Sequence, residues 1–126
     1  QLACSIHHEG HPLSPPALLL SGGETTVTLS DTPGKGGPNQ EFVLAAGREI
    51  LELSKSVIGA IDSDGEDGGT DIAGGLMAGM AEVDRTRIDL SLKDHDSSSF
   101  LRNIDSAVVT GQTNTNVNDL RLALVY

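Results

Sequence analysis

The spacing of apolar and polar residues changes from one segment of the chain to the next. Residues 39–54 carry apolar side chains at helical spacing, which predicts an amphipathic helix. Pro38 suits the first position of that helix, because the backbone N–H of a residue there has no hydrogen-bond partner within the helix and proline has no N–H. Two short apolar runs, ALLLS at 17–21 and VIGAI at 57–61, predict buried strands on either side of it.

The remaining pattern extends this alternation of strands and helices. TTVTL at 25–29 alternates polar and apolar residues, as a half-exposed strand does, and 107–109 and 120–125 also predict strands. Residues 72–83 are apolar but rich in glycine, so helix and strand both stay open there. Ser97 to Asn103 predicts a short helix capped by serine. The expected fold is therefore α/β, a layered sandwich with a mixed β-sheet flanked by helices.

The first sixteen residues differ from the rest. Residues 1–10 predict the last turns of a helix that ends at Gly10, and the prolines within 11–16 predict an extended linker. We expect residues 1–16 to be the end of a helix and a linker from a preceding N-terminal domain. Residues 17–126 are expected to form the α/β domain itself.

Charge and cysteine content limit the possible partners and the compartment. Eight basic residues stand against 18 acidic ones in 126, a formal net charge of −10. This balance argues against binding to nucleic acid or to anionic membranes. The apolar run 17–20 is too short to span a bilayer, and no secretory signal precedes it. Cys4 is the sole cysteine, so an internal disulfide is impossible, and we expect a cytoplasmic protein.

Two groups of residues superficially resemble metal sites. His7 and His11 have helical spacing, but the glycine and proline between and after them predict that the helix has already ended. The loop 62–71 holds five acidic residues, yet Asp67 and Ala73 occupy the positions where an EF-hand needs glycine and glutamate. We therefore expect no metal ligands in this chain.

Three polar loops could contact a ligand or only hold turns. GKGGPNQE at 34–41 opens a helix with glycines, a natural environment for an anion. The acidic loop follows a strand, where α/β sheets bind ligands, but a solvated turn is equally consistent. TGQTNTNVND at 110–119 is rich in Thr and Asn, which either stabilise turns or face a polar ligand. No nucleophile elbow, P-loop or dinucleotide motif is present in the sequence. The residues alone predict an α/β domain with polar loops at strand ends, and binding of an anion there stays open beside a purely structural role of the loops.

Four segments taken in order resemble the MOFRL domain, the C-terminal domain of the glycerate 2-kinase family, also labelled hydroxypyruvate reductase. They are LSGGETTVT (20–28), GKGGPNQE (34–41), DGEDGGTDIAG (64–74) and TGQTNTNVNDL (110–120). The resemblance implies an N-terminal Rossmann-like domain in cis and an active site in the cleft between the two domains. ATP with Mg²⁺ would phosphorylate D-glycerate to 2-phosphoglycerate there. This chain would form one wall of the cleft and be inactive alone, with no catalytic residue assigned to it.

The resemblance also implies a set of substrate-binding residues in these loops. They are Gly22, Gly23, Glu24, Thr25, Gly36, Gly37, Asn39, Gln40, Asp64, Thr70, Asp71, Thr113, Thr115, Asn116, Asn118 and Asp119. The chain departs from the family pattern at Pro38, where the family usually has arginine, and at Gly69, Gln112 and Asn114. Two alternatives stay open: a non-catalytic ligand-binding or regulatory module, and part of a hydroxypyruvate reductase.

Overall fold

A computed structural model describes residues 1–24, 26–28 and 34–126. The predicted site residue Thr25 and the end of the predicted strand 25–29 lie outside the described residues. The helices are α1 (Leu2–Glu9), α2 (Pro38–Ile50), α3 (Arg85–Lys93) and α4 (Ser97–Asn103), with a 3₁₀ turn at Asp67–Gly69. The strands are β1 (Ala17–Gly23), β2 (Ser56–Asp62), β3 (Gly74–Ala78), β4 (Ala107–Val108) and β5 (Asp119–Val125).

The strands form one sheet in the order β1-β5-β2-β3-β4. Helices packed on a sheet confirm the predicted α/β class. The described pairings are all antiparallel, however, so the prediction of a mixed sheet was wrong in this respect. The reason is the position of the last strand. β1, α2 and β2 resemble a unit with two adjacent parallel strands, but β5 lies between β1 and β2 and pairs antiparallel with both.

The helices pack on one face of the sheet, here called the inner face. Val43 and Leu44 of α2 pack with Ala60 of β2 and Met77 of β3, and side chains of α3 and α4 complete this cluster. On the other side of the sheet's centre, α1 packs against Ala17 and other inner-face residues of β1 and β5. These contacts place α1 in the packed fold, and the division at residue 16 stays a prediction.

Several expected elements are confirmed with small shifts. Helix α1 ends at Gly10, whose left-handed backbone lets its N–H bond the carbonyl of Ile6. Pro38 is the first residue of α2, as predicted. The ambiguous segment 72–83 contains a strand, β3. None of the helices in the described part of the chain is long and apolar enough to cross a membrane.

Four local predictions were wrong. The run 17–21 is not a buried strand, because Leu18 and Leu20 lie on the sheet face opposite the helices and are exposed. Residues 26–28 are not in a strand; instead β1 itself extends through Gly23, which pairs with Asp119. Asp96, not a serine, precedes α4 as its N-cap residue. Helix α3 was missed because its apolar residues alternate as in a strand, although Asp84 caps it by accepting a hydrogen bond from the N–H of Thr86.

Candidate functional site

Polar loops from distant parts of the sequence meet at one end of the sheet. Asp119 at the start of β5 pairs with Gly23 at the end of β1 and with Asp62 at the end of β2. The glycine-rich loop before α2 reaches the same place, because Asn39 bonds both Asp67 and Asp119. The sequence placed these loops at strand ends, and the structure gathers them together.

The N-terminus of α2 already holds an anion, the carboxylate of Asp67. One oxygen of Asp67 accepts hydrogen bonds from the backbone N–H and the side-chain amide of Asn39, both at 3.1 Å. The other oxygen accepts from the backbone N–H of Gln40 at 3.0 Å and from its side chain at 3.1 Å. Asp67 is 1% exposed. A carboxylate is favoured at this position by the helix dipole, so these two N–H groups are not available to an external phosphate.

The glycines of the two loops are required by their close contact. A Cβ on Gly37 would lie 2.3 Å from a carboxylate oxygen of Asp67, and one on Gly68 would lie 2.3 Å from the carbonyl oxygen of Gly36. Gly68 also has a φ of +62°, which disfavours a side chain. The contacts with Asp67 and Gly36 therefore explain why glycine stands at positions 37 and 68.

The side chain of Gln40 links the same site to α4. Its amide nitrogen donates to the hydroxyl of Thr70 at 3.0 Å, and its oxygen accepts from the hydroxyl of Ser98 at 2.6 Å. Gln40 is fully buried, so its polar atoms need such partners. The bonds of Gln40 therefore fix the spacing between α2, the acidic loop and α4.

Asn39 extends the network in the other direction, to β5. Its amide donates to Asp119 at 2.8 Å, and Asp119 also accepts from Arg121 at 2.9 Å. The guanidinium of Arg121 lies over the ring of Phe42, 5.0 Å from its centre, which is a cation–π distance. The burial of Asn39 and Asp119 gives both residues a structural role in holding the loops.

The acidic loop and the Thr/Asn-rich loop are joined by a second set of bonds. Thr113 donates its N–H to the carbonyl of Asp64 at 3.0 Å, and Asn116 donates to the Asp64 carboxylate at 3.2 Å. Asn114 has a φ of +59°, a conformation that asparagine tolerates better than most residues. Burial, together with the nearby charges of Asp64 and Asp119, raises the pKa of Asp62 above its ordinary value. Negative charge is thus concentrated at this edge.

Two of the cavities beside the loops are lined by predicted residues that are exposed or half-buried. One, of about 550 Å³, is lined by Gly36, Thr70 and Asp71 together with residues of α4. The other, of about 320 Å³, is lined by Asp64, Thr115 and Asn116 with neighbouring polar side chains. The other exposed predicted residues at this end line neither cavity; they are Gly22, Gly23, Glu24, Thr113 and Asn118.

The larger cavity brings together two cationic side chains. Lys35 and Arg102 both line it, along with the hydroxyl-bearing residues Ser98 and Ser99. Arg102 donates to the carboxylate of Asp71 at 2.6 Å, and this hydrogen bond is the main cause of a lowered pKa for Asp71. The lysine, the arginine and the hydroxyls form a surface that can bind an anionic group.

The donor set does not match a metal centre. Among the described residues, no group of three His, Cys, Asp or Glu side chains is placed to hold an ion.

Sequence reasoning missed four residues that the structure makes important: Asp67, Ser98, Arg102 and Arg121. Asp67 caps a helix that begins 29 positions before it, so no local motif reveals the contact. Arg121 offered a weak signal, because it occupies an inner-face position in an otherwise apolar strand.

Comparison with known proteins agrees with this arrangement. The sequence pattern of the MOFRL family matches residues 17–119, most of the chain. The chain belongs to the MOFRL family. A glycerate 2-kinase from Pyrococcus horikoshii is 44% identical over 95% of this chain and 28% of its own length. The crystal structure of a glycerate kinase from Thermotoga maritima superimposes with a TM-score of 0.92, at 34% identity, over 99% of this chain and 31% of its own.

A third MOFRL relative carries a different name. A protein from Agrobacterium vitis named for hydroxypyruvate reductase is 41% identical over 98% of this chain and 30% of its own length. The MOFRL chain described here thus spans about 30% of the length of the relatives it matches.

Proposed function

We propose that this chain is the C-terminal domain of a glycerate 2-kinase and forms one wall of a phosphoryl-transfer cleft. The observation that carries the proposal is the cavity of about 550 Å³, where Lys35 and Arg102 meet backbone and hydroxyl groups of two loops and of α4. The glycerate 2-kinase of Pyrococcus horikoshii and the glycerate kinase of Thermotoga maritima support the assignment of the reaction. The second wall would come from a Rossmann-like N-terminal domain in cis.

In this proposal the chain binds and orients anionic groups rather than supplying a nucleophile or a base. Lys35 is exposed and presents a compact ammonium charge, whereas Arg102 donates to the carboxylate of Asp71. Cationic side chains near a transferring phosphoryl group stabilise its developing charge. The nucleotide would be ATP, which supplies the phosphoryl group. The residues described do not fit a dedicated Mg²⁺ site, so its ligands would come from the nucleotide and the companion domain.

A chimera tests the proposal. This chain would replace the matching segment of the Pyrococcus horikoshii glycerate 2-kinase, and turnover of D-glycerate with ATP would be followed by coupled ADP release. We expect turnover from the chimera and none from the 126-residue chain alone. A folded chimera that releases no ADP but oxidises NADH with hydroxypyruvate would overturn the kinase assignment. One with neither activity would favour a non-catalytic module.

Substitutions in the chimera test the cationic pair. Lys35→Ala and Arg102→Gln should each lower kcat/KM by about tenfold or more, the effect of losing one charge-assisted hydrogen bond. Arg85→Gln is the matched control, because Arg85 is also exposed and ion-paired but lies on α3. Equal kinetics for all three variants would exclude the cavity as a phosphate site.

Pro38→Arg examines the departure from the family pattern. The arginine would restore a charge beside the loop, so we expect higher kcat/KM in the chimera. If the activity of Pro38→Arg and of Lys35→Ala both equals that of the parent chimera, the glycine-rich loop has only a structural role.

A further inference from the structure

The sheet face opposite the helices, here called the outer face, is apolar and lacks a cover among the described elements. In β1, β2, β3 and β5 the strand register places twelve residues on it, none of them charged. They are Leu18, Leu20, Gly22, Val57, Gly59, Ile61, Gly74, Leu76, Ala78, Leu120, Leu122 and Leu124. The hydrophobic clusters of the described residues are built instead around inner-face positions.

The leucines of the outer face are unusually exposed for a strand. Leu18 is 52% exposed, Leu20 62%, and Leu76 and Leu120 45% each. In a chain of net charge −10, a charge-free surface of this kind contrasts with the rest of the molecule. Contiguous exposed apolar patches mark interaction surfaces in soluble proteins.

The centre of the outer face is concave. Gly59 lies there without a side chain, and Leu76, Leu120 and Leu122 surround a depression of about 210 Å³. A Cβ on Gly59 would lie 2.5 Å from Leu76. The depression has the size and the apolar lining to accept an aliphatic or aromatic side chain from a covering surface.

The dimensions of the face favour a domain of the same polypeptide over a second copy. Four strands spaced about 4.8 Å apart, each five to seven residues long, cover roughly 400 Å². Two such faces would bury roughly 800 Å² in total, below the 1,200–2,000 Å² of a stable association between separate chains. Interfaces between domains of one chain are stable at such areas, because the linker supplies a high effective concentration.

We propose that the outer face is covered by an apolar surface of the companion domain, the part that makes up about 70% of the relatives' length. This rests on the proposed two-domain organisation, and it adds a contact separate from the polar loops at the sheet end. A side chain of the companion domain fills the depression at Gly59. The outer face thus fixes the position of this domain, while the loops remain free to bind a ligand.

Thiol labelling tests the cover directly. In a Cys4→Ser background, cysteine would replace Leu20 or Leu76 on the outer face, and Leu90 as the matched control. Leu90 is 53% exposed but lies on α3. Each variant would be made in the 126-residue chain and in the chimera with the Pyrococcus horikoshii relative, and reacted with a maleimide.

In the 126-residue chain at low micromolar concentration, the three cysteines should react at similar rates. In the chimera, the two outer-face cysteines should react at least about tenfold more slowly, while Leu90→Cys keeps its rate, because thiol reactivity requires access. Equal rates for all three in the chimera would overturn the proposal. If the outer-face cysteines of the 126-residue chain react more slowly as its concentration rises, a second copy of the chain covers the face, and the proposal is wrong.

ADP release by the same chimera separates this inference from the proposed function. Protection without turnover of D-glycerate would refute the kinase assignment and leave the covered face intact. Turnover of D-glycerate by a chimera whose outer-face cysteines are not protected would refute the covered face and leave the kinase assignment intact.

Discussion

Replacing Asp67 with asparagine should destabilise this domain far more than its position in a surface loop suggests. The carboxylate of Asp67 is buried and accepts four hydrogen bonds from Asn39 and Gln40. An asparagine amide has one oxygen, so two of the four donors would face an NH₂ group instead of an acceptor. The change adds no volume and should leave the backbone path unaltered.

The expected loss follows from those two donors. A hydrogen bond to a charged group contributes roughly 1.5–3 kcal/mol, so losing two should lower the free energy of unfolding by roughly 3–6 kcal/mol. That is a large fraction of the stability of a small domain, about 5–15 kcal/mol. Urea unfolding followed by far-UV circular dichroism would measure it, because the chain has no tryptophan.

Asp71→Asn is the matched control for this prediction. Asp71 lies in the same loop and also accepts a hydrogen bond, but its side chain is 80% exposed. Both variants remove one negative charge from an acidic protein, so the difference between them isolates the buried contacts. A loss for Asp67→Asn no larger than that for Asp71→Asn would refute the assignment of Asp67 as the buried cap of α2.

Three further predictions concern stability. Asp62→Asn should raise the urea midpoint at pH 7, because the raised pKa of Asp62 means that its ionised form destabilises the fold. The gain should vanish as pH falls below the unfolded-state pKa, near 3.8; a gain independent of pH would contradict it. Gly37→Ala should cost about 1–3 kcal/mol, since the new methyl group overlaps Asp67, and an unchanged midpoint would rule out this close approach. Leu101→Ala, in the core of α4, should cost about 2–5 kcal/mol in the same assay, and a cost below 1 kcal/mol would show that Leu101 is not packed in the core.

Local rules were enough to predict much of the chain's secondary structure. Pro38 marked the start of α2, Gly10 the end of α1, and the apolar spacing after Pro38 identified a helix that packs on the sheet. Each of these signals depends on neighbours within a few residues. The identity of the family also followed from short motifs in the loops.

Long-range pairing could not be predicted in this way. Nothing local in residues 119–125 indicates that β5 lies between β1 and β2 and pairs antiparallel with both. The exposure of Leu18 and Leu20 was missed for a similar reason, because the short apolar run does not show that these two side chains lie on the outer face. An apolar run indicates that a segment packs against another surface, but it does not identify that surface.

In the candidate site, too, local features could be predicted and long-range contacts could not. The sequence indicated that the glycine-rich loop favours an anion, and the structure shows a carboxylate at the helix N-terminus. That the anion is Asp67 of this chain depends on a contact between residues 27–28 positions apart. Arg102 was missed because a single arginine at the end of a short helix has no distinctive pattern.

The central place of β5 has a consequence for synthesis of the protein. β1 and β2 make no ladder with each other, and each pairs with β5, which follows all the other strands in the sequence. A nascent chain can therefore form α2 and the β2–β3 hairpin early, but β1 has no sheet partner until the last strand leaves the ribosome. Non-local pairing of this kind slows folding and leaves apolar strands unprotected during translation. The sheet is thus completed late, once β5 has been synthesised and can join β1 to β2.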